Sequence, residues 1–113
     1  MVYNKIAKKK EINMKEKDMQ SVEEILGKLE TADNTTKNQL ENELVNIGTS
    51  AVPVLVEQLQ VAKGVKRGVV AMTLIRIGTD AVGYLKQAAD KNADFKWVAK
   101  YLVNEIECTQ HVA

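Results

Sequence analysis

Cysteine, proline, histidine and tryptophan each occur once in these 113 residues, and aromatics make up only 4%. With Cys108 alone, no intrachain disulfide can form, so the fold has no oxidative framework. Cys108 and the lone His111 would make half a metal site, or a nucleophile with its base. Neither has an Asp, His or Cys at a ligand-like interval to complete it, so both read as tail residues. A catalytic centre without histidine would need paired carboxylates or a primed lysine, and no motif marks one. No segment approaches the ~20 apolar residues that span a bilayer, and no apolar stretch follows the N-terminal lysines. The expectation is a cytoplasmic, non-enzymatic protein with no cofactor, no metal and no membrane partner.

Glycine is sparse as well, and its placement excludes a phosphate loop. Gly64 and Gly68 flank Val65-Lys66-Arg67, but no strand pattern precedes them and no Gly-Lys-Ser/Thr follows. Gly64 reads as a helix terminator. Gly68 and Gly27 fall inside helical patterns, where glycine costs about 1 kcal/mol relative to alanine. Close approach of a neighbouring helix accounts for them, with approach of a ligand as the second reading.

What remains is ordinary for a soluble globular domain: 45% apolar and 27% charged residues, in a length that suits one domain. Few aromatics leave the core to aliphatic side chains and alanine. The net charge of +1 selects neither for nor against nucleic acid, but the charge is uneven. Residues 1–17 carry six lysines against Glu11 and Glu16, whereas 18–113 carry ten basic and thirteen acidic residues. This predicts a basic, flexible N-terminal arm over 1–17 and a mildly acidic folded domain over 18–113.

A repeat organises that domain. Leu44-Val45-Asn46-Ile47-Gly48-Thr49-Ser50-Ala51-Val52 recurs thirty residues later as Leu74-Ile75-Arg76-Ile77-Gly78-Thr79-Asp80-Ala81-Val82. Ile47 and Ile77 close apolar helical stripes, and Gly48 and Gly78 stand where a helix ends in the left-handed conformation. Ser50 and Asp80 are N-cap types for the helix that follows. Pro53 falls in that helix's first turn, where its missing donor costs little. The unit is helix, tight corner, helix.

Apolar spacing extends the pattern to six helices. Their stripes are Met19, Val22, Leu26, Leu29; Leu40, Leu44, Ile47; Val52, Leu55, Val56, Leu59; Val70, Leu74, Ile77; Val82, Leu85, Ala88, Ala89; and Val98, Leu102, Ile106. Turn signals separate them at Asp33-Asn34, Gly64 and Asn92 to Asp94. No alternating pattern competes, so the expectation is an all-α domain from about 19 to 107.

The pattern Val65-Lys66-Arg67 … Leu74-x-x-Ile77-Gly78-Thr79-Asp80-Ala81-Val82 resembles the short HEAT-like repeat, including the subset named after phycobilisome bilin lyases. The resemblance covers about 34–107. Residues 36–59 match with Pro53 in place, 66–89 match with Gly83 instead, and 95–107 keep one helix, as a closing cap would. It implies a right-handed α–α superhelix, an armadillo-like solenoid of about three hairpins. The second helix of each hairpin, about 35–47, 65–77 and 95–107, would line the concave face.

On that face the units align as rows: Gln39, Val69, Trp97; Glu43, Thr73, Tyr101; Asn42, Met72, Lys100; and Asn46, Arg76, Asn104. The candidate partner-binding residues are Val69, Met72, Arg76, Trp97, Lys100 and Tyr101, because aromatics, Met and Arg are enriched at interface cores. The competing reading has Trp97 and Tyr101 covering the open end of the stack. The leading function is a non-catalytic protein-binding scaffold. The alternatives are nucleic-acid binding through the lysine arm with Arg67, Arg76, Lys96 and Lys100, and the activities that the resemblance implies, a bilin-lyase-like accessory role or DNA-base excision.

Overall fold

Apolar residues at helical spacing, interrupted by corners, produce an all-helical chain. The computed structural model describes residues 21–112, with side chains through Cys108, and no strand occurs among them. Helical residues 21–29 (α1) precede α2 (Asn34–Ile47), α3 (Val52–Val61), α4 (Gly64–Ile77), α5 (Val82–Lys91) and α6 (Lys96–Val112). The lysine arm expected over 1–17 lies outside the described residues, as does the Met19 expected on the first stripe.

Local chemistry sets the boundaries. Asp33, in extended conformation, accepts from the Thr36 backbone N–H at 2.8 Å and so caps α2. Gly48 and Gly78 end α2 and α4 with φ of +74° and +91°, and their N–H groups bond back to the Leu44 and Leu74 carbonyls. Their ψ near −140° goes beyond the left-handed helical well expected, into a region that glycine alone enters readily. Short 3₁₀ turns, Gly48–Ala51 and Thr79–Ala81, then lead into α3 and α5, and Pro53 stands in the first turn of α3.

Two expectations about these ends are corrected. Neither Ser50 nor Asp80 caps the next helix: α3 and α5 are entered from Ala51 and Ala81 without a side-chain cap, because the 3₁₀ turn already meets the first N–H groups. Gly64 does not terminate α3, which ends at Val61 with Ala62 as its C-cap. It is instead the first residue of α4, with φ +63°.

Packing makes two rows. The helices α2, α4 and α6 pack successively on one another, α3 packs on α5, and α4 and α6 also pack on the helices just before them. The chain bends by 113° between α4 and the segment Thr79–Lys91. Buried positions recur at an interval of thirty: Val22 with Val52, Ile25 with Leu55, Leu26 with Val56, Leu29 with Leu59, Leu40 with Val70, and Leu44 with Leu74. Corner alanines Ala51 and Ala81 are also fully buried, since each corner must lie against the core. The described residues of the expected stripes are buried or, as with Ile47, Ile77, Val82, Ala88, Ala89 and Val98, partly buried against the core. Ile25, Phe95, Ala99 and Val103 join them, although spacing alone did not single these out. No described helix is long and apolar enough by itself to cross a membrane.

Candidate functional site

The outer side of α4 and α6 carries the largest exposed apolar side chains of that row. Trp97 is 81% exposed, Tyr101 62% and Met72 50%. Helical spacing explains the grouping. Ala99, Leu102, Val103 and Ile106 face the core, so Trp97, Lys100, Tyr101 and Asn104 turn the other way. The exposure bears directly on the end-cap reading: a ring with four-fifths of its surface in solvent shields little of the core.

Burial also resets the register between α4 and α6. Val70, Thr73 and Leu74 are buried, and so are Ala99, Leu102 and Val103, which match them at an interval of twenty-nine. Between α2 and α4 the interval is thirty. The missing residue lies in the connection after α5: Lys63 is the N-cap of α4, and twenty-nine residues on Asn92 caps the turn into α6, its side chain accepting from the Asp94 N–H. The expected rows set α6 twenty-eight residues after α4 and therefore shift by one. Trp97 falls in line with Gly68 and Asn38, not with Val69 and Gln39. Tyr101 falls in line with Met72 and Asn42, and Lys100 with Ala71 and Glu41.

Two candidate residues, Val69 and Arg76, change character, as does Thr73 of the outward rows. Val69 is half-buried against the core and offers little surface. Thr73, expected on an outward row, is fully buried, with its hydroxyl satisfied by the Val69 carbonyl at 2.7 Å. Arg76 is already engaged: its Nη1 bonds Glu41 Oε2 at 2.7 Å and Asn42 Oδ1 at 2.8 Å across α2. It ties α4 to α2 and is not a free cation for a ligand.

The glycine on this face is open. A Cβ built on Gly68 would meet nothing within 4 Å, so the expectation that it admits a neighbouring helix is not met; Gly27 is the same. At the start of α6, Ala93, Lys96, Trp97 and Lys100 line a hollow of about 230 Å³. On the opposite row, Pro53, Val56, Tyr84 and Ala88 line a groove of about 370 Å³ between α3 and α5. The Asn92 amide donates to Gln60 Oε1 at 3.0 Å across those two helices.

Electrostatics on the α2–α4–α6 side are local. The Thr36 hydroxyl, then its backbone N–H, hold the Asp33 carboxyl below its ordinary value, and Lys37 adds to this. Lys66 pairs with Glu30 at 3.7 Å. Among the described residues, no group of three His, Cys, Asp or Glu side chains could hold a metal ion. Cys108 is exposed, and the His111 side chain lies outside those described. No family model, curated protein or solved structure matches the chain.

Proposed function

We propose that the chain is a short HEAT-like α-solenoid of about three hairpins that works as a non-catalytic protein-interaction module. It holds a partner segment on the face formed by α2, α4 and α6. The thirty-residue recurrence of buried positions and the successive packing of those helices support the architecture. One observation carries the function: Trp97, Tyr101 and Met72 share one face and stand largely in solvent, although none contributes to the core. Large rigid rings that fold stability does not require are the residue type that anchors interfaces.

The test is capture of partners from a native cell extract on the immobilised full chain, with mass-spectrometric identification, beside two variants. Trp97→Ala is expected to abolish capture while circular dichroism and the melting temperature stay at wild-type values. Tyr84→Ala, on the α3–α5 row, is expected to change neither. A Trp97→Ala protein that melts well below wild type, or that captures the same proteins, sinks the proposal.

A further inference from the structure

The corrected register brings a charged row into line. Lys37 on α2, Arg67 on α4 and Lys96 on α6 occupy equivalent positions, thirty and then twenty-nine residues apart. Arg67 and Lys96 are exposed and Lys37 is half-buried. The adjacent row is Asn38, Gly68 and Trp97, and one turn further on lies the row Asn42, Met72 and Tyr101. Across three packed helices there is thus a basic row, then a row in which Gly68 leaves open space and Trp97 is exposed, then a row with Met72 and Tyr101 exposed. Lys100 lines the hollow at Trp97 and adds a cation there.

Resting on the reading that this face holds a protein segment, we propose that the segment is an extended acidic peptide with an apolar side chain. Its carboxylates meet Lys37, Arg67 and Lys96, and its apolar side chain seats against Trp97 beside Gly68. Spacing supports the match. Packed helix axes lie about 8–10 Å apart, and an extended chain in the polyproline II form advances about 3.1 Å per residue and returns every third side chain to the same side. A carboxylate at every third residue therefore keeps step with one cation per helix.

Charge complementarity selects the peptide over a nucleic acid. Asp33 stands one turn before Lys37, and Asp94 two residues before Lys96, both exposed at the helix starts beside the basic row. Glu41 is committed to Arg76. A continuous phosphate chain would meet these carboxylates along its length, whereas a peptide carries charge only at intervals.

Trp97 is the single tryptophan, so its fluorescence reports this face alone. The probe is a blocked peptide of about ten residues with glutamate at every third position, one leucine and no aromatic residue. With the full chain it is expected to give a saturable shift of Trp97 emission to shorter wavelength that weakens as salt rises. The triple variant Lys37→Gln, Arg67→Gln, Lys96→Gln is expected to bind on the order of tenfold more weakly with melting unchanged. Should the triple variant fold poorly, Lys96→Gln alone is expected to show a smaller loss in the same direction. Equal binding of the peptide with glutamine in place of glutamate overturns the charge assignment and leaves the face a protein-binding surface. A stronger response to a single-stranded oligothymidylate of equal charge overturns the peptide assignment in favour of nucleic acid. No saturable shift with any of these probes overturns the inference, whereas capture lost by Trp97→Ala would still stand as evidence for the interaction module.

Discussion

The Thr49 hydroxyl donates to Asp80 Oδ2 at 2.8 Å, joining the corner after α2 to the equivalent corner after α4. Asp80 carries the chemistry of a helix cap but spends its carboxylate on the preceding corner, and so couples successive helical pairs. A double-mutant cycle with Thr49→Val and Asp80→Ala is expected to give a coupling of about 0.5–1 kcal/mol in chemical denaturation. Additive single changes would show that the corners are held by backbone and alanine burial alone.

Leu74 tests the core. It is fully buried on α4, the helix that packs against α2, α3 and α6 at once. Leu74→Ala is expected to cost about 2–5 kcal/mol, a large part of the stability of a domain this size. The denaturation midpoint reads this out, and an unchanged midpoint would mean that α4 turns a different face inward.

Two glycines should respond in opposite directions. Gly78 holds φ +91° and ψ −141°, so Gly78→Ala is expected to destabilise by about 1–3 kcal/mol. Gly68 lies inside α4 with open space around it, so Gly68→Ala is expected to stabilise by up to about 1 kcal/mol. Melting temperatures of the pair check both signs. A destabilised Gly68→Ala would reveal a close contact at that position.

The Asp33 cap predicts a pH dependence. Its carboxyl titrates below its ordinary value because the Thr36 hydroxyl and N–H favour the ionised form. A depressed folded pKa contributes stability that is present above the unfolded value and is lost as pH falls through the folded one. Asp33→Ala is therefore expected to melt below wild type at neutral pH. The two proteins should converge once the pH falls below the usual carboxylate range. A difference that stayed constant with pH would assign the effect to the backbone instead.

Much of the fold was legible in the chain itself. A 3.6-residue apolar period, two copies of Ile-Gly-Thr, Pro53 after a corner and the turn signal Asp33-Asn34 each act through neighbours close in sequence, so spacing reveals them. The all-helical content and nearly every core stripe follow from those local rules. The candidate face was legible in part: the outward placement of Trp97, Tyr101 and Met72 follows from Leu102, Val70 and Leu74 pointing inward.

Tertiary structure decided the rest, because the remaining choices depend on which atoms meet across helices. Between equivalent positions, the connection after α5 is one residue shorter than that after α3, which leaves no mark on periodicity within α6. The resulting interval of twenty-nine, where the expected rows took twenty-eight, places Trp97 with Gly68 and not Val69, and Lys96 with Arg67. Thr73 is polar by composition but buried, since the hydroxyl can return its hydrogen bond to the Val69 carbonyl one turn back. Arg76 had the charge of a ligand-binding residue until Glu41 and Asn42 on α2 came within reach of its guanidinium. Local sequence determines which face of a helix is apolar; only the packed neighbour determines which polar groups on the other face are left free.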